Sequence, residues 1–366
     1  MTDVIERTEI LRPEPAQALG GLLGVPIPDL DAGAGLPPLW HWIYLLDRPA
    51  QADLGPDGHP VRGVLPTPPA PGLRRMWAGG RVRTSGALRC GRPAVRRTTV
   101  LSVTEKQGRS GHLTFVTAGH QVRQDGRLVV DEEQDLVYRE AVAAPAPAAA
   151  DEGPLVPAGD GEWEIDVSPT LLFRFSALIY NAHRIHYDRD YCRDVEGYPG
   201  LLTHGPLQAI AMAEAARARG ATGDVSFEYR LTSPLFDYQG LVVSAAPGDG
   251  ALSTVARDRY GRETASGTFR ARTPLSGVFS VAIATEKTPD LDGVAGVWPP
   301  GCACLHWVSF RVNSARKDTQ SSRRGGRGEG GRGSARRAWG AREGAACASR
   351  QRGLVEGGQD GFGLAD

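Results

Sequence analysis

The chain has 366 residues, of which 41% are hydrophobic, and its 42 basic and 42 acidic side chains cancel. This length allows roughly two domains, and a net charge of zero argues against whole-surface attraction to nucleic acid or an anionic membrane. Five cysteines (Cys90, Cys192, Cys302, Cys304 and Cys347) form no paired framework, which fits a reducing compartment, and Cys302-x-Cys304 has too few neighbouring ligands to suggest a metal site.

Residues 1–145 form the first region. Met1–Pro13 lacks the apolar core of a signal peptide, and no run of about twenty apolar residues occurs anywhere, so the expectation is a cytoplasmic protein. The opening reads as loop-rich, with prolines dense over Pro56–Pro71. Strand-like runs follow at Thr98–Lys106, Leu113–Arg123 and Leu128–Tyr138, with Gln124-Asp125-Gly126 as the clearest hairpin turn. An Ala/Pro-rich stretch over Ala141–Pro157 has no periodicity and reads as a linker, placed at 146–159.

Residues 160–273 form a second folded unit. Ser168-Pro169 is a helix start, a Ser N-cap followed by Pro at the first helical position. Leu171, Leu172, Phe175, Leu178 and Ile179 follow at helical spacing. A second helix is predicted from about Pro206 to Arg219, stopped by Gly220. Strands then follow at Val225–Leu231, Gly240–Ala246, Leu252–Arg257 and Thr264–Arg272. A long helix packed on a curved antiparallel sheet is an α+β plan. Residues 274–366 read as a low-complexity tail whose Arg, Gly and Ser cannot bury enough surface to fold alone. Gly325-Gly326 with its flanking arginines lacks the interleaved aromatics of a nucleic-acid segment and reads as a solvated tail.

Titratable and aromatic side chains concentrate in Tyr180-Asn181-Ala182-His183-Arg184-Ile185-His186-Tyr187-Asp188, with Thr203-His204-Gly205-Pro206 downstream. Such a cluster suits addition of water across the double bond of an acyl thioester. One histidine, neutral near pH 7, can take a proton from water and return it to the α-carbon. A backbone N–H at a helix N-terminus can hold the oxygen on which charge develops, and Gly205 would let that oxygen approach closely. Any one of these histidines could instead be a satisfied structural residue; the clustering favours the chemical reading.

The run resembles the hydratase motif of the MaoC-like, or hydratase-2, superfamily: Asp-x-Asn-Pro-aliphatic-His, then His-Gly at the start of the central helix. Here Asn181 stands for the motif's Asp, His183 for its Asn, Arg184 for its Pro, Ile185 for its aliphatic residue and His186 for its His, with His204-Gly205 as the pair. The resemblance implies His186 as acid/base and Gly205 as oxyanion donor. Asn181 cannot act as a carboxylate base, so it is expected to position, and His183 or Asp188 to substitute. Leu39-Trp40-His41-Trp42, Gly55-Pro56-Asp57-Gly58-His59-Pro60 and Arg74-Arg75-Met76-Trp77-Ala78-Gly79-Gly80 are similar to the first half of one branch. That branch contains mesaconyl-C4-CoA (3-methylfumaryl-CoA) hydratase, itaconyl-CoA hydratase and the type 2 hydroxyacyl-thioester dehydratases.

The resemblance covers about residues 1–272 and implies a double hot-dog fold. The second half would keep the catalytic residues (His186, Asn181, His183, Gly205) and the first would shape the acyl pocket. Tyr187, Arg184, His204 and Trp77 are expected to bind substrate. The implied activity is a hydro-lyase acting on a branched acyl-CoA such as mesaconyl-C4-CoA, with no metal or redox cofactor and a homodimeric assembly. A carrier-protein 3-hydroxyacyl dehydratase and a non-catalytic acyl-thioester binder are the alternatives.

Overall fold

The computed structural model describes residues 3–64, 66, 73–108, 111–140 and 153–271. Residues 146–152 of the expected linker, the whole of the 274–366 tail, and Cys302, Cys304 and Cys347 lie outside the described residues.

Among the described residues, ten antiparallel strands form one sheet: β1 (Val4–Ile10), β2 (Leu73–Thr84), β3 (Pro93–Gly108), β4 (Gly111–Gln124), β5 (Arg127–Glu140), β6 (Glu162–Ile165), β7 (Val225–Leu231), β8 (Leu241–Gly248), β9 (Ala251–Arg257) and β10 (Glu263–Ala271). Their spatial order is β1-β3-β4-β5-β2-β7-β10-β9-β8-β6. Read inward from its two edges, the order repeats. The sequence β1-β3-β4-β5-β2 in one half is matched by β6-β8-β9-β10-β7 in the other. The halves join edge to edge where β2 pairs with β7, from Gly79↔Arg230 to Arg83↔Ser226. Each half has a helix between its first and second strands: α1 (Pro13–Leu23) in the first, α3 (Gly205–Ala218) in the second. This repeat is the expected α+β double hot-dog.

Local chemistry explains the elements. At the β4–β5 hairpin Asp125 and Gly126 both have positive φ, 51° and 75°, the geometry of a type I′ turn that an Asp-Gly pair accepts readily. Ser168 caps α2 (Pro169–Leu178), its side chain accepting from the Leu171 amide. Helix α3 is buried from Leu207 to Ala216, so its polar members need partners. Gln208 accepts from the Thr264 hydroxyl at 2.8 Å, and Glu214 accepts from the Trp40 indole at 2.8 Å and from Arg217. The Trp40–Glu214 bond fastens a short turn of the first half (Trp40–Ile43) to the central helix of the second.

The opening is not loop-rich as expected. It holds β1, on the sheet edge against β3, and α1. Ala16, Leu19, Gly20 and Leu23 of α1 are buried at helical spacing. The prolines of its first turn mask that pattern without breaking it, since Pro is tolerated there.

Candidate active site

Helix α2 ends in a Schellman turn: the Tyr180 amide bonds to the Ala177 carbonyl and the Asn181 amide to the Ser176 carbonyl. Tyr180 adopts the left-handed conformation with φ 53°, where glycine is usual. The chain then turns again, because the Asn181 side-chain oxygen accepts from the His183 amide at 2.9 Å. A short 3-10 turn, Arg184–His186, follows. Two bonds lock it to the strand-like run before α3: the Leu202 amide to the Ile185 carbonyl at 2.9 Å, and His186 Nδ1 to the Leu202 carbonyl at 2.8 Å.

These turns bring His183, His186, Asn181 and Gly205 to one cavity of about 650 Å³. A carbonyl only accepts, so His186 carries its proton on Nδ1, leaving Nε2 as the basic nitrogen. The rings of His183 and His186 meet edge to face at 5.4 Å. Burial drives the His186 pKa down to about 4, against the raising effect of the Leu202 carbonyl. Burial also pushes His183 well below the ordinary histidine value, with the charges of His59, His186 and Arg75 acting in the same direction. Both rings are therefore neutral at pH 7.

Gly205 is the first residue of α3 and Pro206 the second. The Gly205 amide consequently has no intrahelical acceptor, and it sits at the positive end of the helix. A β-carbon at Gly205 would lie 3.0 Å from Leu231 and 3.5 Å from Trp77, so glycine keeps the approach to this amide more open than a larger residue would. Beside it, the buried Thr203 hydroxyl has no hydrogen-bond partner among the described residues and also lines the cavity.

Sequence reasoning did not assign Asp57 and His59 to the site, although their segment carried part of the resemblance. Asp57 accepts from His59 Nδ1 at 3.1 Å, and the His59 ring lies on His183 with 3.7 Å between centroids. Burial raises the Asp57 carboxyl, but the hydrogen bond and charge of His59 outweigh it and hold the pKa below the usual carboxylate range. The segment is pinned to the motif, since the Asp57 carbonyl accepts from the Arg184 amide at 2.8 Å. Gly58 makes this docking possible. It has φ +85°, and a β-carbon there would sit 1.9 Å from the Ala182 carbonyl oxygen. A carboxylate bound to a histidine within a Gly-rich turn was the available signal.

Asp57, His59 and His183 each offer a ligand atom, all within 4.8 Å of one another, a spacing that could hold a divalent ion. Two features favour proton handling instead. His59 Nδ1 already donates to Asp57, and the His59 and His183 rings pack against each other at 3.7 Å between centroids, inclined by 34°.

Three of the four residues expected to bind substrate do not line the cavity. Arg184 pairs with Asp188 at 2.8 Å and stacks on Tyr191; Asp188 is thereby engaged away from the site and does not replace the missing carboxylate. The Tyr187 hydroxyl donates to the Ala182 carbonyl, and its ring is largely exposed. His204 is fully buried, stacked on His186 at 3.6 Å and bonded through Nε2 to the Ser176 hydroxyl at 2.8 Å. Trp77 does line the cavity, and its indole bonds to the Tyr229 hydroxyl at 3.0 Å across the β2–β7 seam. On the first half's side of the cavity, Glu132 accepts from His41, Trp42 and Gln134. Burial opposes its ionisation, but the His41 hydrogen bond and charge prevail and its pKa falls to about 2.

The sequence pattern of hydroxyacyl-thioester dehydratase type 2 matches residues 39–237. The chain belongs to that family. It is accordingly an enzyme of the hydratase/dehydratase class, a hydro-lyase. Mesaconyl-C4-CoA hydratase of Chloroflexus aurantiacus is 46% identical over 239 residues, covering 65% of this chain and 84% of that protein. The mitochondrial hydroxyacyl-thioester dehydratase type 2 of Schizosaccharomyces pombe is 27% identical over 251 residues, covering 61% of this chain and 82% of that protein. Among solved structures, HtdX of Mycobacterium tuberculosis matches 73% of this chain and 99% of its own with TM-score 0.54 at 14% identity. A MaoC-like dehydratase from Phytophthora capsici matches 74% of this chain and 95% of its own with TM-score 0.52 at 14% identity. At these identities the two structures speak for the fold. No helix among the described residues is long and apolar enough to cross a membrane.

Proposed function

We propose that this enzyme adds water reversibly to a branched enoyl-CoA, with mesaconyl-C4-CoA (3-methylfumaryl-CoA) as its substrate. His186 Nε2 takes a proton from water, and the oxygen forms a bond to the β-carbon. The double-bond electrons move onto the thioester oxygen, which the Gly205 amide holds, with the Thr203 hydroxyl as a second donor. The enolate then collapses and the α-carbon receives the proton that His186 took up. Asn181 shapes the turn that aims His183. The carboxylate absent at Asn181 comes from the first half, as Asp57 acting through His59. The histidine cluster beside the start of α3, in a single cavity, carries this reading.

The relative from Chloroflexus aurantiacus supports the acyl group. The 27% identity to the yeast dehydratase keeps a carrier-protein 3-hydroxyacyl dehydratase as the second reading. The two halves would divide as residues 1–145 and 160–273, with a homodimer as the assembly and the cytoplasm as the compartment. The chemistry calls for no resident cofactor beyond the thioester carrier of the substrate. The test is loss of enoyl absorbance with 3-methylfumaryl-CoA, comparing the wild type with His186→Ala. A drop of about 10²–10⁴-fold in kcat is expected, and undiminished turnover would remove the mechanism. Rates on matched CoA and carrier-protein thioesters separate the two substrate readings.

A further inference from the structure

Four arginines line the cavity: Arg74, Arg75, Arg96 and Arg139. Three have partners. Arg74 pairs with Glu196 at 2.7 Å, Arg96 pairs with Asp47 at 2.7 Å, and Arg139 has Glu196 and Tyr198 as electrostatic partners, burial raising the pKa of both and its charge acting to lower them. Arg75 is half-buried and makes no ion pair or hydrogen bond with any described residue. An unneutralised guanidinium facing a partly apolar cavity is costly unless an anion joins it.

Its position says which part of a ligand it would meet. Arg75 and Trp77 lie two residues apart on β2, so they share a face of the strand. Trp77 lies next to the first turn of α3, since a β-carbon at Gly205 would be 3.5 Å from the Trp77 β-carbon, and the thioester oxygen is held there in the proposed reaction. Arg75 thus stands one step along the strand, about 7 Å from Trp77 by strand rise, with a long side chain to reach along the same face. The two carboxyl carbons of a trans four-carbon diacid are spaced like consecutive Cα atoms across a trans peptide, about 3.8 Å apart. A thioester at Gly205 therefore places a carboxylate on the β-carbon within reach of a guanidinium based at Arg75. The charge of Arg75 is also felt at His59 and His183, lowering both. An anion bound at Arg75 would relieve that effect and make the histidines better bases when the right substrate is present.

We propose that Arg75 forms a carboxylate subsite that selects acyl thioesters bearing a second carboxylate at the end of a four-carbon chain. This deepens the proposed function and rests on its reading of the cavity as an acyl-thioester site. Guanidinium matches carboxylate geometry with paired donors, which lysine reproduces only as a point charge.

Binding of two unreactive thioesters tests it. Succinyl-CoA and butyryl-CoA share the carrier and chain length and differ only in a carboxylate replacing a methyl. The wild type is expected to bind succinyl-CoA more tightly by at least about 10-fold, the value of a hydrogen bond to a charged group. Arg75→Gln is expected to erase the difference while leaving butyryl-CoA unchanged, and Arg75→Lys to keep part of it. Unchanged butyryl-CoA binding also shows that the variant is folded. Equal affinity of the wild type for both thioesters would overturn the subsite. So would an Arg75→Gln variant that weakens both equally, since that outcome assigns Arg75 to the CoA phosphates or to the fold. Hydration assays separate the two readings. A wild type that prefers succinyl-CoA but hydrates no enoyl-CoA keeps the subsite and sinks the hydratase proposal.

Discussion

His186 and His204 lie ring on ring, 3.6 Å between centroids and 16° from parallel. One ring faces the cavity and the other is wholly buried. His204 is held from behind by Ser176, and burial followed by the nearness of His186 keeps it well below the ordinary histidine pKa. It is a neutral plate against which the reactive ring rests, so it acts through His186 rather than on substrate. His204→Ala removes the plate and lets His186 tilt. A displacement of about 1 Å at a reacting group can cost on the order of 10²-fold. Steady-state kinetics should show that loss in kcat with KM little changed. His204→Phe, which restores a flat ring, should recover much of it. Equal losses in both variants would assign the effect to the Ser176 bond instead.

The buried histidines also set the pH response. His186 titrates at about 4 in the folded protein against about 6.5 when unfolded, and burial lowers His59, His183 and His204 in the same direction. Between those values the unfolded chain binds more protons. The stability these groups permit is fully present above about pH 6.5 and is lost as pH falls toward 4, by about 3 kcal/mol for His186 alone. Urea melts at pH 7 and pH 4.5 should show this fall, and His186→Gln should flatten it in part. The acid limb of kcat/KM for the free enzyme should lie near 4 rather than 6.5. A pH-independent melt between 7 and 4.5 would contradict this account.

Asp57 and His59 should behave as one unit. The carboxylate fixes the His59 proton on Nδ1 and so sets which nitrogen of the ring is basic. Asp57→Asn should lower kcat by about 10²-fold, within the span of a single proton-handling contribution. His59→Gln should do about the same, and the double variant should lose little more, because residues acting together are not additive. Additive losses would mean the two contribute separately.

The parts of this protein legible in sequence are those written locally. Asp125-Gly126 specifies its turn, Ser168-Pro169 starts its helix, and His183, His186 and Gly205 are set by short spacings around two turns. What the sequence concealed depends on contacts between residues far apart in the chain. The strand β1 alternates between exposed and half-buried residues on a sheet edge, so its apolar signal is weak. Asp57 reaches His183 only after the first half docks on the second. The placement of His204, Arg184 and Tyr187 was missed for a related reason: spacing says that side chains are near a site, but packing decides which of them face it. Arg184 found Asp188 one helical turn away, and that local pair removed it from the cavity.

Gly58 offers the sharpest test of the docking between halves. Its backbone is left-handed, and a β-carbon would meet the Ala182 carbonyl at 1.9 Å; backbone cannot yield as a flexible side chain can. Gly63 has a similar φ of +74° but open space around it. Gly58→Ala and Gly63→Ala therefore share the strain of a left-handed residue, roughly 1–2 kcal/mol, and differ in the collision. If the Asp57–His59 segment must seat against Ala182 for catalysis, Gly58→Ala should lose at least about 10²-fold in kcat, while Gly63→Ala should lose only stability. The same pair should separate in structure. Gly58→Ala should shift the NMR signals of the His59 and His183 rings, and Gly63→Ala should leave them in place. Matching kinetics in the two variants would mean that the first half need not sit as close to the His183 turn as the structure places it, and that the histidines of the second half work alone.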